Sequence, residues 1–240
     1  MSKEQEQLLQ WIDESDNIVF FGGAGVSTES KIPDFRSVDG LYKQNYDYPP
    51  ETILSHSFYI RNPEEFYRFY RDKMLFPDAD PNAAHIALAN LEKQGKLKAV
   101  ITQNIDGLHQ KAGSRNVIEL HGSSLKNYCV KCGKKYNLDY ILSCDGVPKC
   151  EDCGGFVRPD VVMYGEGLDS YAIEAAVRAV SECDMLIVGG TSLTAYPAAG
   201  FVNYYQGDKL VIINRDPTPF DSHAQMVIRR PIAEVFLDII

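Results

Sequence analysis

Two Cys-x-x-Cys pairs, Cys129/Cys132 and Cys150/Cys153, stand seventeen residues apart in the chain. Each such turn can present two sulfurs to one tetrahedral ion, so the spacing suits a four-thiolate zinc ribbon. Four thiolates leave no open coordination position, which makes the expected Zn2+ structural rather than catalytic. Disulfides are the alternative, and a reducing compartment disfavours them. Cys144 and Cys183 fall outside the pattern and read as unligated.

A second set of residues suits a nucleotide. VFFGGAGVSTES places Gly22, Gly23 and Gly25 directly after an apolar run, where backbone N–H groups can approach a pyrophosphate and a following helix N-terminus can favour its charge. The GxGxxG spacing of a dinucleotide fingerprint has Thr28 where the third glycine belongs. The usual acidic ribose partner is not evident either, because Asp34 and Asp39 lie in irregular sequence. A hydride-transferring dehydrogenase is therefore a poor fit, and a tight strand-to-helix turn is an equal reading of the loop taken alone.

ITQNIDGLHQKAG projects Gln103, Asn104 and Asp106 from the carboxyl end of a strand, where ligands of open α/β sheets bind. Asn and Asp two residues apart offer donors and acceptors for a carboxamide and a ribose, and equally for capping a turn. In IELHGS, His121 is the side chain best able to take a proton near neutral pH. His85, inside PNAAHIAL, reads as structural, and His56, His109 and His223 carry no assigned role. In GGTSLTAYPAA, Thr191 and Ser192 follow a strand and are placed to bond a phosphate or ribose.

The elements that must position these residues are short. NIVFF, KAVIT, DMLIVGG and KLVIIN read as buried parallel strands, while PEEFYRFYRDKM, PNAAHIALANLEKQG and YAIEAAVRAVSE have helical periodicity. Alternation of the two predicts an α/β fold, a Rossmann-like open parallel sheet with helices on both faces. The cysteine-bearing segment breaks the rhythm and reads as a small inserted module; Ile32 to Ser57, rich in Pro, Tyr and Asp, reads as a long surface loop. The expected division is a discontinuous cofactor-binding domain over 1–31, 77–122 and 159–240, a flexible cofactor loop and helical insertion over 32–76, and a zinc-binding module over 123–158.

With 240 residues, 45% of them hydrophobic and 24% charged, the chain matches an ordinary globular protein and has length enough for a sizeable core. A net charge of −9 argues against direct nucleic-acid binding, which needs a concentrated cationic surface. MSKEQEQLLQWIDESDN carries charge throughout and resembles neither a signal peptide nor an anchor, so no membrane association and a cytoplasmic location are expected.

Taken in order, GAGVSTESKIPDFRS, TQNIDGLH, ELHGS, the paired CxxC motifs, RPDVVMYGE, GTSLTAYPA and INRD resemble the successive signatures of the sirtuins, the NAD-dependent protein lysine deacylases. The resemblance implies a bacterial-type, short form of the family that consumes NAD by cleaving its nicotinamide bond. It implies that Gly23, Ala24, Gly25, Thr28 and Arg36 line the cofactor loop, and that Phe35 separates departing nicotinamide from the sugar. Gln103 and Asn104 would hold the nicotinamide ribose, Ile105 and Asp106 the carboxamide, and Gly190, Thr191, Ser192, Asn214 and Arg215 the phosphates and adenosine half. His121 would be the general base, with Asn104 beside it as a catalytic residue. Val162, Tyr164, Gly165 and Glu166 would receive the acyl-lysine peptide along a strand edge, Val162 bonding its amide and Tyr164 lining an apolar tunnel.

In the implied mechanism the acyl oxygen of a modified lysine attacks the ribose carbon as nicotinamide leaves. His121 then helps deprotonate a ribose hydroxyl, and free lysine and O-acyl-ADP-ribose are released. Family members that prefer succinyl or malonyl groups carry Tyr followed three residues later by Arg; here Tyr67 is followed by Tyr70, and Tyr70 by Lys73, so deacetylation is expected. Acyl-lysine proteins are the expected partners, and the chain is expected to act as a monomer. Transfer of ADP-ribose to a protein, and preference for another acyl chain, are the alternative activities.

Overall fold

Strands that are buried on both faces need unbroken apolar sequence, and IVFFG satisfies that at every position. In the computed structural model, which describes residues 3–35, 40–43 and 46–237, this run is β1 (Ile18–Gly22). It lies between β2 (Leu97–Thr102) and β7 (Met185–Gly189), pairing with both in parallel. β3 (Val117–Glu119) extends the sheet beyond β2, and β8 (Leu210–Ile213) and β9 (Met226–Ile228) extend it beyond β7. The resulting order is β3-β2-β1-β7-β8-β9, parallel throughout. The chain runs outward on one side of β1 and then crosses to the other. Between β1 and β7 the strand order reverses, and open α/β sheets bind ligands at the carboxyl ends there.

Alternate residues of β1 divide the core. Ile18 and Phe20 face one layer, built with α1 (Lys3–Glu14), α5 (Ala83–Lys93) and α9 (Ile232–Leu237). Val19 and Phe21 face the other, built with α8 (Ser170–Glu182) and the 3-10 segment Ala198–Tyr204. The N-terminus of α5 closes with a capping box: the Asn82 side chain accepts from Ala84 N–H, and His85 Nδ1 accepts from Asn82 N–H at 3.3 Å.

A third apolar cluster stands apart from these layers. It joins α2 (Pro50–Ile53), α3 (His56–Arg61) and α4 (Pro63–Lys73) to a three-stranded antiparallel sheet of β4 (Gly122–Cys129), β5 (Lys135–Tyr136) and β6 (Val157–Val161), together with α7 (Leu138–Ser143). Phe66, Tyr67 and Tyr70 from α4 are fully buried in it. Tyr67 donates its hydroxyl to the Val157 carbonyl at 2.5 Å, while Arg71 donates to the carbonyls of Ile141 (2.9 Å) and Gly146 (2.6 Å). The helical insertion and the cysteine module therefore share one core.

Two local expectations change. The glycine loop is followed not by an α-helix but by two 3-10 turns, Ala24–Val26 and Thr28–Ser30, closed by Lys31 in the left-handed region. Ser and Thr there compete for backbone groups, and left-handed Lys31 ends the helical path. Within Ile32 to Ser57, α2 interrupts what reads as loop, because Pro50 occupies a first-turn position where its missing N–H costs nothing.

Candidate active site

The loop after β1 and the loop after β7 meet backbone to backbone. Gly25 N–H donates to the Gly190 carbonyl at 2.8 Å, and a Cβ at Gly25 would stand 2.8 Å from that same oxygen. Gly190 has φ +58, and a Cβ there would lie 2.4 Å from Val26 N. Both glycines are required by this mutual approach. Gly23 sits behind it, with its absent Cβ directed at Thr191.

Between these loops and the third cluster lies a cavity of about 720 Å³, a size that accommodates a cofactor-scale ligand. Ala24, Gly25, Thr28, Phe35, Gln103, Asn104, Ile105, Asp106, His121, Gly190, Thr191, Ser192, Asn214 and Arg215 all line it, as do Val162, Tyr164, Gly165 and Glu166. Gly23 is not among the lining residues, and Arg36 lies outside the described residues. Residues from β1 to β8, distant in sequence, thus converge on one space.

A hydrogen-bonded triad organises its polar part. Asp106 accepts from the Ser27 hydroxyl at 2.7 Å and from Leu108 N–H at 2.9 Å, the first residue of α6 (Leu108–Ala112). Ser27 in turn accepts from the Asn104 side-chain amide at 3.1 Å. Burial pushes the Asp106 carboxyl above the usual carboxylate range, and the bonds from Leu108 and Ser27 pull it back. Ser27 carries no sequence signal of this role, since its partners lie more than seventy residues away. Thr191 Oγ1 accepts from the Gln103 side chain at 3.2 Å, joining the two sides of the switch point.

His121 Nδ1 is 2.9 Å from the Gln103 carbonyl oxygen. A carbonyl only accepts, so Nδ1 carries the hydrogen and Nε2 keeps its lone pair. Burial lowers the imidazole pKa, and the Gln103 bond partly opposes that shift. The ring is therefore a neutral base at pH 7 with its basic nitrogen fixed.

β6 ends at Val161, short of the strand edge read from VVMYGE. Val162 N–H donates to the His121 carbonyl at 2.9 Å, and Tyr164 bridges in parallel to Ser55, its hydroxyl meeting that of Tyr42. Glu166 lines the cavity and also closes a turn: burial raises its carboxyl, but bonds from Arg158, Met163 N–H and His56 outweigh burial and bring it down to about 2. The strand stops because Glu166 N–H and carboxylate occupy both polar groups of Met163.

The four paired cysteines gather as spaced. Their sulfurs lie within 4.8 Å of one another, with Cys129 to Cys153 at 3.4 Å and Cys132 to Cys150 at 3.6 Å. A tetrahedral zinc thiolate site has sulfurs roughly 3.8 Å apart from its bond length of about 2.3 Å, whereas a disulfide needs about 2.05 Å, so the residues fit the ion. The Tyr136 hydroxyl donates to Cys150 Sγ at 3.2 Å and lowers that thiol to about 6. Cys144 and Cys183 stay outside the group.

The family model for the Sir2 family matches residues 23–197. An NAD-dependent protein deacetylase of Clostridium acetobutylicum is 57% identical over 237 residues, covering 98% of this chain and 97% of the relative. Another, of Clostridium tetani, is 58% identical over 234 residues, covering 96% and 95%. Among solved structures, a Sir2 bound to acetylated peptide superimposes with a TM-score of 0.87 at 40% identity, covering 100% of this chain and 97% of that one. A Sir2 structure with deacetylated peptide and 3'-O-acetyl ADP ribose gives 0.89 at 41% identity, covering 98% and 97%.

Proposed function

The chain belongs to the Sir2 family, and on that premise we propose how its own residues carry the reaction of an NAD-dependent protein deacetylase. The protein converts acetyl-lysine, NAD and water to lysine, nicotinamide and O-acetyl-ADP-ribose. When bound, NAD supplies the ribose carbon at which nicotinamide is exchanged for the acyl oxygen.

The observation that carries the proposal is the fixed tautomer of His121. With Nδ1–H held by the Gln103 carbonyl, Nε2 is the atom that takes a proton from a ribose hydroxyl. Asn104, Asp106 and Ser27 hold the nicotinamide half through the triad, and Ile105 and Gln103 complete that wall. Gly25, Thr28, Gly190, Thr191, Ser192, Asn214 and Arg215 bind the phosphates and adenosine, supported by the close approach of the two glycine loops. Phe35, packed against Tyr42 at 5.5 Å between ring centroids, excludes water from the reacting sugar. Val162 and Gly165 bond the peptide backbone, and Tyr164 walls the lysine stem.

The acyl end of the cavity is formed by Phe66, Tyr70, Met74 and Phe76, with Lys73 at its margin paired to Asp72 at 3.0 Å. Apolar walls and an already paired ammonium favour acetyl and other short neutral chains over succinyl. Residues 1–31, 77–122 and 159–240 serve as the cofactor domain, with 32–76 as the cofactor loop and helical insertion and 123–158 as the zinc-binding module. Among the described residues no helix is long and apolar enough to cross a membrane. Cytoplasmic residence, in a reducing compartment to which free cysteines are suited, and a monomer without direct nucleic-acid contact complete the proposal.

The experiment incubates the zinc-loaded protein with NAD and acetylated, propionylated and succinylated versions of one peptide. Nicotinamide release with O-acetyl-ADP-ribose formation, fastest on the acetylated peptide, is the expected result. Label on the protein in place of that product would indicate ADP-ribosyl transfer, and equal rates on succinyl and acetyl peptides would refute the acyl preference.

A further inference from the structure

The turn from Met163 to Glu166 takes its shape from side chains that do not touch the nucleotide loops. The Glu166 carboxylate accepts from Arg158 Nη1 at 2.8 Å and Nη2 at 3.0 Å, from Met163 N–H at 2.9 Å, and from His56 Nδ1 at 2.7 Å. Arg158 Nη2 also donates to the Val161 carbonyl at 3.0 Å, and its guanidinium lies over the rings of Tyr59 and Tyr128. The Arg158 side chain is only 12% exposed and that of Glu166 only 20%. The backbone adds two bonds from the other side, His56 N–H to the Tyr164 carbonyl and Tyr164 N–H to the Leu54 carbonyl, each 3.0 Å.

These contacts decide what the turn can offer. The polar backbone groups of Met163 and Tyr164 are satisfied within the protein, by Glu166 on one side and by residues 54 and 56 on the other. Val162 gives its N–H to His121. What remains for an extended peptide is the Val162 carbonyl and the backbone of Gly165. A mostly buried ion pair returns little net stability after desolvation. Four bonds converging on one carboxylate instead hold one backbone conformation, as a preorganised binding edge requires.

We propose that Arg158, Glu166 and His56 are positioning residues for the acylated substrate, fixing the Val162 carbonyl and Gly165 at the spacing an extended acyl-lysine peptide pairs with. The proposal rests on the deacetylase reading. His56 comes from α3 and Arg158 from β6, so the edge is set jointly by the helical insertion and the cysteine module.

The test measures two affinities by calorimetry on the full-length, zinc-loaded protein: an acetyl-lysine peptide without NAD, and ADP-ribose. In Glu166→Gln, peptide affinity is expected to fall about tenfold or more, as loss of bonds to a charged group implies, while ADP-ribose affinity changes by less than about twofold. Peptide KM should rise by more than kcat falls. His56→Ala should show a smaller loss of the same kind, and His56→Asn, whose amide can donate in place of Nδ1, should restore it. Peptide affinity unchanged in Glu166→Gln, or equal losses for both ligands, would overturn the proposal. If Glu166→Gln does not fold, Arg158→Lys decides by the same two affinities. Wild-type protein that binds acetylated and unmodified peptide alike would overturn the deacetylase reading itself, and this proposal with it.

Discussion

The imidazole of His121 is held at Nδ1 by the backbone carbonyl of Gln103, 2.9 Å away, in the strand-end loop that also carries Asn104 and Asp106. The proposed base is thus anchored to the backbone segment that carries the proposed cofactor-holding residues. His121→Ala is expected to reduce deacetylation by ~10²–10⁴-fold, the usual contribution of a positioned base. ADP-ribose affinity should stay near that of the wild type. Single-turnover kinetics beside a binding titration separate the two, and a parallel loss of binding would move His121 from base to scaffold.

The glycine loops make a steric prediction. A methyl at residue 25 would sit 2.8 Å from the Gly190 Cα and carbonyl oxygen, and both are backbone atoms unable to swing aside. Gly25→Ala should separate the β1 and β7 loops and weaken ADP-ribose binding by more than about tenfold, within the ~1–3 kcal/mol range of overpacking. Far-UV circular dichroism should be unchanged. Unaltered binding would mean the loops tolerate displacement.

Acid should unfold the protein through two buried histidines. His85 and His109 are 0% and 1% exposed, with rings 4.7 Å apart. Burial lowers His85 to about 4; burial, then the neighbouring His85, lowers His109 to about 3. The folded state keeps both neutral, whereas the unfolded chain takes up protons below about pH 6.5. Their contribution is therefore intact above that pH and is lost as pH falls toward 4 and then 3, each group adding a slope of about 1.4 kcal/mol per pH unit. His121, also lowered, acts in the same direction. Urea midpoints measured from pH 7.5 to 5 should drop, and less steeply in His109→Leu; equal slopes would show that these rings do not govern acid stability.

Zinc loss should reach the acyl end of the cavity first. Structural zinc contributes apparent free energies of about 10–16 kcal/mol in zinc-finger peptides, comparable with the ~5–15 kcal/mol stability of a whole domain. α4 rests on the cysteine module through Tyr67 and Arg71 while its Phe66 and Tyr70 wall the cavity. Cys150→Ser, or chelation, should abolish acetyl-peptide binding before ADP-ribose binding, with zinc content read by atomic absorption. Loss in the reverse order would contradict the shared core.

The strands of the sheet were legible because burial on both faces imposes apolar runs such as Ile18–Phe21 and Met185–Val188. The cysteine cluster was legible because each pair is local and the ion dictates the spacing. Contacts between distant segments were not. Ser27 reads as one more loop hydroxyl, and nothing in GVSTES announces Asn104 and Asp106 as its partners. His109 looks unremarkable in sequence, yet it is buried beside His85 because α6 packs on α5. Glu166 lies in a string that suggests a ligand edge, and only tertiary structure shows its carboxylate turned inward to Arg158 and His56.

The three apolar clusters have no residue in common, and the cavity runs along the seam between the third and the other two. Each body thus has an apolar interior of its own. Whatever fills that seam works as mortar: an empty protein would soften in two calorimetric steps, and one saturated with cofactor and peptide would melt as a single block.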